Sequence, residues 1–372
     1  MSRPVVKFNT QDNPEFFSVL RKRVNQHFKD NNISKHANNE MRFKTAFMLS
    51  LYFIPMGLMY FQVFTGSAAI LGLWAIMGFG MAGIGLSIMH DANHGAYSKS
   101  KKVNQILGFL INFLGAYHSN WIIQHNVLHH SYTNIEDHDE DINNPVMRFS
   151  PGQKRKKGYK YQVFYAPFLY AIMTLYWFIS KDFERVFTYD DKKLLGTQNL
   201  TKNKALAIIA AHKIWYILLT LIIPMLIVPI PWWHMVLGFL MMHAITGISL
   251  ALIFQPAHVI CETNFYEIDS KNSVENNWAI HQLNTTSNFA NNARIFSWFV
   301  GGLNNQVEHH LFPKICHVHY RDLSPIVKKT ALEFGIPYHQ HKTFWGAVYS
   351  HFSMLNQLGT GSYDLNAARK AA

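Results

Sequence analysis

Four apolar stretches, residues 46–65, 68–89, 205–228 and 232–254, limit what this chain can fold into. As helices each is long enough to cross a hydrocarbon layer of about 30 Å. Backbone in lipid must satisfy its own hydrogen bonds, so the expectation is an all-α integral membrane protein. Gly66-Ser67 joins the first two stretches and Pro229-Ile230-Pro231 the last two, giving four transmembrane helices in two hairpins. Charged residues make up 15% of the chain and aromatics 15%, a balance typical of proteins that meet lipid. Mean hydropathy is nonetheless −0.02, so long polar segments must offset the apolar ones.

The formal charge of +12 is explained by its placement. Neither hairpin turn contains lysine or arginine, whereas the N-terminal segment, the middle and the C-terminal third are basic. By the positive-inside rule the turns face outward and both termini face the cytoplasm. A nucleic-acid partner is not needed to account for the charge, and no basic groove with interleaved aromatics appears. Residues 1–44 read as a cytoplasmic segment without the apolar core of a secretory signal, so the chain is expected to keep its start near Met1. Within it Phe16, Phe17, Leu20, Val24 and Phe28 mark one face of an amphipathic helix, suited to the membrane surface or to packing on the protein. Residues 45–345 form the expected membrane domain and 346–372 a cytoplasmic tail. Cys261 and Cys316 are too few for a disulfide framework and read as small apolar residues.

Most of the 21 histidines are ordinary interfacial polar residues on this reading, but three groups are not. They are His90-Asp91-Ala92-Asn93-His94, His125-Asn126-Val127-Leu128-His129-His130, and Gln306-Val307-Glu308-His309-His310. On a helix His90 and His94 face the same way, as do His125 and His129, so each pair can grip one metal. Imidazole suits iron, copper or zinc. Three groups hold more ligands than one ion needs, and the hairpins place all of them on the cytoplasmic side. His258, just past the last apolar stretch, joins them there. Single crossings at 106–123 or 163–179 would divide these ligands across the bilayer, so both segments are read as interfacial or re-entrant helices. Asp91, Asp137, Asp139, Asp141 and Glu308 accompany the groups, and metal-bound imidazoles commonly donate to such carboxylates.

HDANH, HNVLHHSYTNIEDHDEDI and GGLNNQVEHHLFP resemble the three histidine boxes of the membrane fatty acid desaturases, in order and in position relative to two hairpins. The resemblance covers residues 46–313. Gln306, where many members have histidine, and WAIHQLNTTSNF at 278–289 are similar to the front-end subgroup, delta-6-like enzymes such as linoleoyl-CoA desaturase. Asn305 departs from the aromatic residue common there, which bears on regioselectivity. The resemblance implies a cytoplasmic helical cap in which His90, His94, His125, His129, His130, His309 and His310 hold two iron ions. His258 would be an additional ligand and Gln306 a neutral amide at a ligand position. It implies O2 as co-substrate and a cis double bond placed between an existing one and the carboxyl end of an acyl-CoA or lipid-linked chain. The reaction needs two electrons. No HPGG haem motif of a fused b-type cytochrome occurs in the sequence. The resemblance therefore implies an external ferredoxin or b-type cytochrome with its reductase, and a bacterial inner membrane.

The residue types suit that chemistry, because no side chain breaks an aliphatic C–H bond and a metal that activates dioxygen does. The protein's part is to hold one C–C bond in place. Trp121, Trp298 and Phe299 are candidates for an apolar tunnel but read first as core aromatics. Arg148, the run Lys154-Arg155-Lys156-Lys157 and Lys160 read as orienting charge, with coenzyme A phosphates or an acidic donor as the sharper alternative. A hydroxylase on the same scaffold is the enzymatic rival. A metal transporter is the other, but it requires ionisable ligands within the spans, where only His212, Lys213 and His243 stand.

Overall fold

The computed structural model describes residues 6–363; the expected start at Met1 and the last nine residues of the 346–372 tail lie outside the described residues. Helix α1 is Phe16–Asp30. The long helices are α2 Asn39–Tyr60, α3 Ser67–Asn93, α6 Lys157–Asp191, α7 Lys202–Ile227 and α8 Trp232–His258. Between α3 and α6 run α4 Lys101–Leu114 and α5 His118–Tyr132, bent by 103° to one another. After α8 come α9 Trp278–Asn284, α10 Arg294–Phe299, α11 Gln306–Leu311, α12 Tyr320–Glu333 and α13 Phe344–Thr360. Two short parallel strand pairs tie the cap: Lys7–Phe8 with Ser273–Val274, and Ser287–Phe289 with His339–His341.

Five helices, not four, are long and apolar enough to cross a membrane, by length and composition. The additional one is α6, which contains the segment 163–179 expected to be interfacial. Its neighbours show how it is placed. Near its start the Tyr170 carbonyl lies against Gly247 of α8, and Ala166 and Tyr170 share a cluster with Ala251. Near its end Val186 and Tyr189 pack with Ala205 and Ile209, at the start of α7. Both ends of α6 thus meet the same end of the α7–α8 hairpin, the end away from Pro229–Pro231. Its outer side leaves Phe164, Phe168 and Ile179 exposed, as a lipid-facing surface would. The segment 106–123 breaks at Gly115, whose φ of 78° is the left-handed conformation glycine adopts without strain.

Small residues let the helices approach closely, the common device where water drives no helix association. A Cβ at Gly80 of α3 would stand 2.6 Å from the Tyr52 backbone nitrogen of α2, and one at Gly247 would stand 2.3 Å from the Tyr170 oxygen. The other amphipathic expectation resolves in favour of packing on protein. Phe16, Leu20, Val24 and Phe28 of α1 are buried in one cluster with Leu323, Val327 and Ala331 of α12.

The close approach at Gly247 sets a stability prediction. Gly247→Leu must push α6 off α8, and overpacking of this kind costs about 1–3 kcal/mol. A melting temperature in detergent several degrees below wild type is expected, and an unchanged one contradicts this packing.

Candidate metal centre

Local helix geometry explains why these histidines converge. In an α-helix, positions i and i+5 differ by about 140° around the axis, which would turn His130 away from His125. Residues Ile122–His129 instead form a π-helical stretch, whose wider turn brings i, i+4 and i+5 to one face. His125, His129 and His130 therefore all point inward. A second π-helical stretch, Ile84–Met89, leads into His90. Helix α11 carries the third group. Its first turn is fixed by Asn288, whose Oδ1 accepts from the Val307 N–H at 2.9 Å.

All the expected site residues are buried or, for His94, half-buried, and the histidines meet in one place. Donor atoms of His90, His94, His125 and His309 lie within 4.8 Å of one another, as do those of His129, His258 and His310. His130 stands between the two sets: its Nε2 is 3.2 Å from His125 Nε2 and 2.9 Å from His309 Nε2, while its ring stacks on His310 at 4.4 Å. Gln306 is 2% exposed, and its Oε1 has no hydrogen-bond partner.

The opposite ring nitrogens show which atoms are free to bind. His129 Nδ1 donates to Asp139 at 3.0 Å, His258 Nδ1 to the Thr285 carbonyl at 3.1 Å, and His310 Nδ1 to Gln282 Oε1 at 2.8 Å. His309 Nδ1 pairs with the Tyr320 hydroxyl at 3.2 Å. A ring whose Nδ1 donates carries a bare lone pair on Nε2. The Nε2 atoms of His94, His129, His258 and His310 accordingly have no partner although buried. Burial, then the neighbouring imidazoles, hold His94, His309 and His310 well below the ordinary histidine range, so they stay neutral ligands. Nε2 atoms 2.9–3.2 Å apart in His90, His125, His130 and His309 match the spacing of two ligands at right angles on one ion with bonds of about 2.1 Å. The donor set therefore fits transition metal, in two groups that share His130.

The carboxylates divide. Asp139 orients His129 and also accepts from the Asn134 N–H at 2.9 Å. Asp141 lies 3.5 Å from His129 Nδ1. Asp91 is 4.0 Å from His90 Nδ1 and is held by His317 Nδ1 at 2.8 Å, whose other nitrogen meets the buried Lys44 at 2.8 Å. Glu308 accepts from Asn288 and Tyr338, both at 2.8 Å, and burial raises its carboxyl to about 7. Asp137 is exposed in a turn with φ of 60°.

Several residues at the centre stand outside the predicted ligand set. Gln282 accepts from His310 and from Thr133 Oγ1 at 3.0 Å, and its amide reaches the His130 carbonyl at 3.3 Å. Trp278 Nε1 bonds that same carbonyl at 3.3 Å, so the WAIHQL segment locks the second group to the third. Trp121, read as a core aromatic, stacks over His125 at 4.5 Å, and Phe254 covers His129 at 5.0 Å and His258 at 5.2 Å. Trp298 and Phe299 pack instead on Phe47 of α2. Half of the basic group is spent on structure. Arg148 bonds the carbonyls of Gln153 at 2.8 Å and Leu358 at 2.7 Å, Arg155 that of Thr360, and Lys156 that of Pro145. His243 bonds Tyr216 and Thr174, and Lys213 pairs with Asp182, so no ligand cluster forms within the spans among the described residues.

Gln282→Leu removes the acceptor that orients His310 and keeps the volume. Changes of this kind cost about 10–100-fold in metal affinity. Competition with a chelator should show metal lost at correspondingly lower chelator concentration than in wild type, and equal retention contradicts the assigned role of Gln282.

Sequence comparison agrees with this geometry. The profile of the fatty acid desaturase family matches residues 65–342. The chain is 34% identical to a sn-1 linoleoyl-lipid 6-desaturase of Arthrospira platensis, over 92% of each protein. It is 34% identical to the enzyme of the same name from a Synechocystis strain, over 93% of this chain and 96% of the relative. It is 33% identical to an acyl-lipid (8-3)-desaturase of Physcomitrium patens, over 98% of this chain and 76% of the relative. A moss stands beside the cyanobacteria, so the relatives assign no source organism. With a family profile spanning most of its length and a centre of convergent imidazoles, the chain belongs to the fatty acid desaturase family.

Proposed function

We propose that this fatty acid desaturase is a front-end enzyme that places a cis double bond between an existing one and the carboxyl end of a lipid-linked acyl chain. The observation that carries it is the meeting of His90, His94, His125, His129, His130, His258, His309 and His310, with partnerless Nε2 atoms on His94, His129, His258 and His310. In this reading those eight hold two irons, and Gln306 adds a neutral amide oxygen beside them. A bound iron pair supplies the oxidising power to take two hydrogens from adjacent methylenes, using O2 and two electrons from a ferredoxin or b-type cytochrome. The chain's own residues do the rest. Asp139, Thr285, Gln282 and Tyr320 fix the ring orientations, and burial keeps water from the centre. Trp121 and Phe254 offer the apolar surface against which an acyl chain lies beside His125 and His129. Names of the relatives support lipid-linked chains of the linoleoyl type as substrates. The structural use of Arg148, Arg155 and Lys156 agrees, since it leaves fewer side chains for coenzyme A phosphates.

Four crossings follow from the same centre. His94 and His125 share it, so α4 and α5 together return to the side they left. His130 and His258 share it too, so the chain between them crosses an even number of times. The α7–α8 hairpin accounts for two crossings, and α6, with both ends at the base of that hairpin, lies along the interface. Turns without basic residues at 61–66 and 228–231 support an outward-facing hairpin end and a cytoplasmic centre. In a Cys261→Ser background, a cysteine replacing Ser67 should react with impermeant maleimide from outside, and one replacing Lys101 only after permeabilisation. The reverse pattern contradicts the orientation.

Activity is tested by lipid profiling of a host fed linoleic or oleic acid, with mass-spectrometric location of double bonds. Wild type should add a double bond on the carboxyl side of the existing one, and His309→Ala should not. A hydroxylated product would instead establish the oxygenase reading, and a new bond on the methyl side would overturn the front-end one.

A further inference from the structure

Lys213 is a cation in the third apolar stretch, where an ammonium requires partners. It has three. Its Nζ donates to the Asp182 carboxylate, to the Trp177 carbonyl at 3.0 Å and to the Gly115 carbonyl. Asp182 is equally occupied. Its Oδ2 accepts the Tyr117 N–H at 2.9 Å, and the Asn120 amide donates to its Oδ1 at 3.2 Å and to its carbonyl at 2.9 Å. The pair is buried, with side-chain exposures of 11% and 7%.

These bonds surround the elbow between α4 and α5. Gly115 is the left-handed residue at which the chain turns, and Tyr117 immediately precedes α5. Tyr117 does not cap α5 with its own side chain, and a carboxylate from α6 accepts the N-cap N–H, as the acidic partner of a capping box does. A negative charge there also suits the helix dipole. Lys213 of α7 neutralises that carboxylate and grips the elbow's other arm. Eight residues on, about 12 Å along the axis, α5 presents His125, and then His129 and His130. The direction of the whole second histidine group is therefore set at its root.

We propose that the Asp182–Lys213 pair is the device that aims the second histidine box, acting through the elbow at Gly115–Tyr117 as a pair of positioning residues. The inference rests on the metal-centre reading above. Its readout at the elbow is independent of that reading.

The test uses the full-length enzyme in lipid nanodiscs, with hydrogen exchange across 117–123 and iron per chain measured together. Lys213→Met leaves a buried carboxylate unpaired, and Asp182→Asn leaves a buried ammonium unpaired. Each should raise exchange at the elbow on the order of tenfold, as a locally loosened segment does. Each should also weaken iron retention by roughly tenfold, the low end of what outer-sphere changes cost. The double variant Lys213→Met with Asp182→Asn removes both charges and keeps an amide acceptor for Tyr117, so it should recover protection and iron relative to either single change. Lys213→Arg should retain both. Single variants with lower melting temperature but wild-type exchange at 117–123 and wild-type iron overturn the proposal, as does a double variant no better than the worse single one.

Discussion

Bare imidazole nitrogens facing one another in a dry interior are the constraint on which the rest of this structure depends. His129, His258 and His310 each carry a partnerless Nε2 and bring donor atoms within 4.8 Å of one another, an arrangement of lone pairs that a cation among them stabilises. Three of the rings donate their Nδ1 protons to Asp139, Thr285 and Gln282, and a fourth pairs its Nδ1 with the Tyr320 hydroxyl. A metal bound there would couple to folding, because its ligands are supplied by separate helices.

That constraint reaches outward into the architecture. Ligands from α3, α5, α8 and α11 must stand at one depth, which fixes where each apolar helix ends. It forces the chain between the first and second boxes to turn back at Gly115. Small residues at Gly78 and Gly238 set the spacing of α3 and α8: a Cβ at Gly78 would stand 3.0 Å from the Met242 oxygen and one at Gly238 2.2 Å from the Trp74 ring. The cap contributes through the strand-linked α9 and α11, where Gln282 and Trp278 hold the second and third boxes in register.

The parts legible in the sequence were those written locally. Box histidines appear as repeats at three, four and five residues, and apolar runs of about 20 residues announce helices of membrane length. The expected sidedness came from charge placement. Less legible were features that depend on distant residues. His130 joins the centre only because a π-helical turn replaces an α-helical one, and no residue in Ile122–His129 signals that change. Gln282 stands in the 278–289 segment without a sign of its partner, and Tyr320 is a polar residue in an ordinary context, until the fold places them on His310 and His309. Arg148 reads as orienting charge in the sequence because charge counts ignore that a guanidinium also serves backbone carbonyls. Trp121 looked like core because aromatic periodicity does not distinguish a wall of the metal centre from any other packed surface.

The central claim is that one cluster of imidazoles holds two iron ions. Metal analysis combined with X-ray absorption at the iron edge, on purified protein, addresses it most directly. The account predicts two irons per chain with a nitrogen-dominated shell at about 2.1 Å. A single metal per chain, zinc in place of iron, or a shell dominated by carboxylate oxygen would contradict it.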